Sequence, residues 1–326
     1  SLMMLTTRGV KESDIASRVV STNMQSNKRT DLTPGWCGDL PVRYYHSQGS
    51  GPVTVVFIHG FTLTAQSYFQ QVDFLHYRYP EVSCLLLDLR GHGDSGEIEP
   101  ELCTLDATAD DVASAIRTAA PTGPLVIVGH SLGGMTALNF LRRYRDLAAR
   151  VRGVILISTA VESLSSQGVP QVLALPAAEK IHNAVEASLK EAQAFRTEVA
   201  ALLAPALAAT VFYRDGVAYD LVQFHAAMIQ NTPLKTMVGF FDDLQHHEEL
   251  EAIDELNEVP GVVIVGEEDH FTPPSQSEVI ADAWGKSTLY RLADVGHMVI
   301  LEAPEIVNGA LERMIRRATP QPQTQN

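Results

Sequence analysis

A chain of 326 residues with 45% hydrophobic and 19% charged side chains has the composition of a folded globular protein, long enough for one α/β domain carrying a large insertion. Its formal net charge of -15, with no basic cluster to offset it, repels phosphate backbones and anionic headgroups and so excludes nucleic acid and stable membrane association as partners. No basic start leads into an apolar stretch, no segment reaches about 18 uninterrupted apolar residues, and Cys37, Cys84 and Cys103 have no metal-ligand spacing; a cytoplasmic, reducing location is expected.

Residues 1–35 carry no strong period and read as an N-terminal arm. Apolar runs of strand length follow at 53–58, 83–87, 125–128, 154–157 and 262–265, with helical patterns between most of them. Each run is nearly continuous in Val, Ile and Leu, as strands buried on both faces are. The expected fold is therefore α/β, a mostly parallel, doubly wound sheet with helices on both sides. Two further candidates, 42–46 and 288–292, extend the sheet at its edges. Residues 36–161 and 259–318 form the core in this reading, and 319–326 are a polar, disordered tail.

The alternation breaks between 162 and 258, a stretch rich in Ala and Leu at helical spacing and punctuated by Pro170, Pro176, Pro205 and Pro233. It enters after one sheet strand and leaves before another, so it reads as a helical cap of four or five helices at the carboxyl edge of the sheet, where open α/β sheets bind ligands. Its apolar residues Phe212, Tyr213, Phe224, Met228, Met237, Phe240 and Phe241, with His225, either line an acyl pocket or pack the cap on the core. His246-His247-Glu248-Glu249 is read as a solvated helix end, because adjacent helical residues diverge by about 100° and cannot converge on one ion.

Four motifs carry chemistry. Gly129-His130-Ser131-Leu132-Gly133 lies between the run 125–128 and the helical stretch 135–144, the strand, tight turn and helix of a nucleophile elbow. His59-Gly60-Phe61 follows another strand, and Gly60 frees the chain to aim the Phe61 N–H at a developing oxyanion, paired with the Leu132 N–H. In Gly266-Glu267-Glu268-Asp269 three acids compete to orient a base, and Gly296-His297 supplies the base that completes the order nucleophile, acid, base. The loop Asp88 to Ser95 has the glycines and short polar residues of a hydrogen-bonded turn, with His92 a loop residue and Asp94 a turn residue.

Taken together, over about 53–297, these motifs resemble the α/β-hydrolase family, in the helical-cap branch that includes esterases, lipases and carbon-carbon bond hydrolases. The resemblance implies Ser131 as nucleophile, Asp269 as acid, His297 as base, Phe61 and Leu132 as oxyanion donors, and no metal or organic cofactor. A serine rather than a carboxylate at the elbow points to acyl transfer, so the expectation is a serine carboxylic-ester hydrolase acting on a small-molecule ester with an apolar acyl group. The same residues leave open a carbon-carbon or thioester hydrolase, or a cofactor-free lyase or cyclase. From another class, a non-enzymatic ligand receptor on this fold also stays open.

Overall fold

Eight strands form one sheet: β1 (Thr33–Cys37), β2 (Val42–Ser47), β3 (Thr54–Ile58), β4 (Ser83–Leu87), β5 (Leu125–His130), β6 (Val151–Ile157), β7 (Gly261–Gly266) and β8 (Ser287–Leu292). The computed structural model describes residues 32–164, 217 and 219–322. The strand order is β1-β2-β4-β3-β5-β6-β7-β8, with β1 and β2 antiparallel to their neighbours and the remaining pairs parallel. Every residue of β3, β4, β5 and β7 is buried, which is why these runs lack polar alternation. A fully buried Val, Leu, Ile or Phe contributes ~1.5–3 kcal/mol, so the centre of the sheet carries much of the fold's stability.

Successive residues of each strand feed opposite cores. Val56, Ile58, Leu85, Leu87 and Ile127 face one hydrophobic cluster, which takes in α2 (Leu105–Ala119) and α3 (Leu132–Arg143). Val55, Phe57, Cys84, Leu86 and Val128 face the other, which takes in α1 (Phe69–Arg78) and the C-terminal helix. Helix α2 starts where the Thr104 hydroxyl accepts from the Ala107 N–H at 3.2 Å, and it lays Leu105, Ala109, Val112 and Ile116 on the sheet at three- and four-residue spacing.

Past β6 the described part of the insertion is helical: α4 (Tyr219–Asn231) and α5 (Leu234–His246), joined through Thr232 and Pro233. After β7 come α6 (Pro274–Ala283) and then, beyond β8, α7 (Pro304–Ala318). Among the described residues no helix is long and apolar enough to cross a membrane.

The sheet departs from the sequence expectation at one edge. Strand β2 is not outermost, because β1 pairs with it from Thr33 opposite His46 to Cys37 opposite Val42. Strand β1 begins inside the stretch read as an arm, and its sequence, TPGWC, hides it. Pro34 and Gly35 are poor strand formers tolerated at an edge, and the Tyr44 ring covers Gly35 so closely that a Cβ there would be 2.2 Å from Cζ.

Candidate active site

Parallel register gathers the strand ends that matter. Ile58 pairs with Gly129, His130 with Ile157, and Ile157 with Ile264, so the chain leaves β3, β5, β6 and β7 along one edge of the sheet. Ser131 stands in the turn from β5 to α3 with φ 56° and ψ −118°, a left-handed conformation that costs a non-glycine residue on the order of 1–3 kcal/mol. The turn is so tight that a Cβ at Gly129 would lie 2.5 Å from the Gly133 carbonyl oxygen, and one at Gly133 would lie 2.1 Å from that of Ile58. The Ser131 N–H donates to Ile157 O at 2.9 Å and the Thr159 hydroxyl donates to Ser131 O at 2.7 Å, holding the strained residue from both sides.

The structure brings His297 and Asp269 to this serine. His297 Nδ1 is 2.8 Å from Asp269 Oδ2, and Nε2 is 3.1 Å from Ser131 Oγ. A carboxylate only accepts, so Nδ1 carries the proton and Nε2 presents a lone pair to the serine hydroxyl. Asp269 is itself fixed: Oδ1 accepts from the Phe271 and Thr272 N–H groups, each at 2.9 Å, and Oδ2 lies 2.9 Å from the Thr272 hydroxyl. Behind the pair, His130 donates from Nε2 to the His297 carbonyl at 3.1 Å, and the Phe271 ring lies 5.3 Å from that of His297. Ser131, Asp269 and His297 are all buried, so their mutual interactions are little screened by water.

Gly60 passes directly beside the elbow, and a Cβ there would be 3.2 Å from Ser131 Cβ. The Gly60 carbonyl accepts from His59 Nδ1 at 2.8 Å and from the Leu63 N–H at 3.1 Å, while His59 Nε2 accepts from the Leu89 N–H at 2.9 Å. Carbonyl and N–H point opposite ways in a trans peptide, so anchoring Gly60 O fixes the direction of the Phe61 N–H. Leu132 is the first residue of α3, where N–H groups have no intrahelical acceptor and the helix dipole favours negative charge. Neither the Phe61 nor the Leu132 N–H has a protein acceptor among the described hydrogen bonds. A hydroxyl bonded to an oriented imidazole, beside two unengaged donors, is an arrangement able to attack a carbonyl and hold the resulting oxyanion.

Several buried groups around this centre escaped the sequence reading. His92 is a loop residue, as expected, but wholly buried, and its Nε2 accepts from the Thr62 N–H at 3.2 Å while Nδ1 donates to Arg90 O at 3.1 Å. Burial lowers His92 to about 4, and burial with the neighbouring His297 lowers both His130 and His225 to about 3. His225 comes from α4, where Met228 one turn later accepts from the Thr64 hydroxyl at 3.8 Å. Asp88 accepts from the N–H groups of Ala65 at 2.8 Å and Asp94 at 2.9 Å, and burial raises it to about 6. No local pattern marks these partners, because most are tens of residues apart in sequence.

Of the insertion's apolar residues, Phe224 stacks edge-on to Phe69 and Phe240 to Phe61, contacts that seat the helices on the core. Phe212 and Tyr213 lie outside the described residues. In the polar run, His247 Nε2 is 2.5 Å from Glu249, which is buried and also takes Arg142 at 3.0 Å and Asn139 at 2.6 Å. That end of the insertion is therefore a buried ion cluster at Glu249 and solvated only at His246 and Glu248, a correction to the sequence reading. Glu249 needs its three partners because an unpaired carboxylate at that depth would be costly.

Comparison with known proteins agrees with this architecture. A profile of the alpha/beta hydrolase fold matches residues 53–304. An uncharacterized hydrolase of Bacillus subtilis, YugF, is 24% identical over 276 residues, 84% of this chain and 94% of that protein. A pimeloyl-[acyl-carrier protein] methyl ester esterase of Neisseria meningitidis is 27% identical over 222 residues, 67% of this chain and 64% of that protein. Among solved structures, a thermophilic esterase from Thermogutta terrifontis superposes with a TM-score of 0.66 at 25% identity, covering 90% of this chain and all of that one. With its mostly parallel sheet, its elbow between β5 and α3 and a profile match across most of its length, this chain belongs to the alpha/beta hydrolase fold family.

Proposed function

We propose that the protein is a serine carboxylic-ester hydrolase that works through an acyl-enzyme on a small-molecule ester with an apolar acyl group. The observation that carries this reading is the chain of contacts from Ser131 through His297 to Asp269, at 3.1 and 2.8 Å. In the proposed reaction Ser131 Oγ attacks the ester carbonyl as its proton passes to His297 Nε2. The oxyanion takes hydrogen bonds from the Phe61 and Leu132 N–H groups, and collapse expels the alcohol with the proton from His297. Water activated by the same imidazole then releases the acid and restores Ser131. Asp269 holds the Nδ1–H tautomer throughout.

The steps need no metal or organic cofactor. The Phe271 ring, 5.3 Å from that of His297, supports an apolar acyl group, and two of the similar proteins are esterases by name. Steady-state hydrolysis of p-nitrophenyl butyrate tests the reading. The wild type should turn over and Ser131→Ala should lose about 10³-fold or more in kcat; a Ser131→Ala rate within tenfold of wild type, or no turnover by the wild type, would overturn it.

A further inference from the structure

Thr62 directly follows the proposed oxyanion donor and has φ 65°. A β-branched residue in that region is a genuine outlier, costing on the order of 1–3 kcal/mol, and it persists only when its surroundings hold it. Its N–H donates to His92 Nε2 at 3.2 Å, and its hydroxyl closes back on Phe61 O at 2.6 Å. His92 can accept there because Nδ1 is committed as a donor to Arg90 O.

Part of what holds His92 comes from the insertion. Thr236, fully buried in the first turn of α5, donates its hydroxyl to Gly91 O at 2.6 Å. The fit is close: Gly91 has φ 77°, and a Cβ there would be 2.7 Å from Thr236 Oγ1. One turn along the same helix face, the buried Phe240 ring lies 5.5 Å from His92 and 6.4 Å from Phe61. A single face of α5 thus grips the loop carrying His92 and covers the residue bearing the donor N–H.

We propose that α5 sets the geometry of the Phe61 oxyanion donor, with Thr236 and His92 as positioning residues through which the insertion acts on the chemistry. This rests on the serine-hydrolase reading above. Loss of the Thr236 hydrogen bond frees the Gly91-His92 segment, His92 releases the Thr62 N–H, and the strained Phe61-Thr62 unit relaxes. The donor then loses its aim at the oxyanion, while the ground-state substrate site is unchanged.

Thr236→Val keeps the side-chain shape and removes only the donor. We expect kcat to fall about tenfold, less than the 10²–10³ of an oxyanion donor deleted outright, with KM within twofold. Affinity for a trifluoromethyl ketone, which forms a tetrahedral adduct on the serine, should fall by the same factor. Thr236→Ser should restore kcat to within threefold, and Lys235→Ala on the same helix, which breaks only exposed ion pairs to Glu97 and Glu99 of a core loop, should stay at the wild-type rate. Hydrogen exchange at the Thr62 amide should quicken in Thr236→Val alone. Wild-type kcat and exchange in Thr236→Val, or a loss confined to KM, would overturn the proposal while leaving ester turnover by the wild type intact. Quickened exchange in a protein with no ester turnover would instead overturn the hydrolase reading, with the link from α5 to Thr62 standing.

Discussion

Glu267, Glu268 and Asp269 stand in a row after β7, and only Asp269 turns inward. Glu267 pairs with Arg291 at 2.8 Å at the surface and Glu268 lies 3.8 Å from His270, whereas Asp269 is 1% exposed and accepts two backbone N–H groups. An Asp side chain is short enough to close a turn onto the N–H groups two and three residues on, which a Glu one carbon longer does not do. The sequence shows three candidate acids; the turn that selects among them is a matter of backbone geometry. Asp269→Asn retains an oxygen for the Phe271 and Thr272 N–H groups, but its amide donates to His297 Nδ1 and moves the ring proton to Nε2. We therefore expect a kcat loss of about 10⁴ with little change in Tm, measured by steady-state hydrolysis and a thermal melt. Wild-type turnover in that variant would contradict the role given to Asp269. His59 and His92 illustrate the opposite limit, since each serves an N–H group 30 positions away and no local pattern reveals it.

At the scale of elements, the elbow was readable because everything it needs lies within a few residues: a buried strand, Gly129, Ser131, Gly133 and the helix that follows. The five central strands were readable for the same reason, since burial on both faces leaves each a nearly continuous apolar run, with only Arg152 of β6 exposed. Strand β1 was not, since two of its five residues are Pro34 and Gly35 and its place is set by pairing with β2. The helical character of α4 and α5 follows from composition and spacing. That α5 directs Thr236 and Phe240 onto the loops carrying Gly91, His92 and Phe61 does not, because the contact joins segments about 145 residues apart.

At the scale of the whole molecule, the same edge of the sheet that collects Ser131, Asp269 and His297 also collects buried imidazoles. His59, His92, His130 and His225 are all held below their ordinary value of 6.5, chiefly by burial, so each stays neutral in the fold and takes a proton on unfolding as pH drops below 6.5. Their contribution is fully present above that value and declines with acidification, each at ~1.4 kcal/mol per pH unit. Asp88, raised to about 6, works the other way between there and 3.8, because the fold holds its proton more tightly than the unfolded chain does. More imidazoles are lowered than carboxyls raised, His46 among the former and Asp73 and Asp111 beside Asp88 among the latter, so stability falls as the pH drops below 6.5. Urea unfolding at pH 7, 6 and 5 should show a steeply falling midpoint, and a midpoint constant over that range would contradict the buried, neutral state of these rings.

Covalent acylation of Ser131 can be caught by rapid acid quench of the wild-type protein turning over p-nitrophenyl butyrate, followed by peptide mass mapping. A butyryl adduct should form on the peptide carrying Ser131, in a burst approaching the enzyme concentration when deacylation is the slower step and at a smaller steady-state fraction when it is not. Hydrolysis at full rate with the acyl group on another residue, or with no adduct at any quench time, would contradict it.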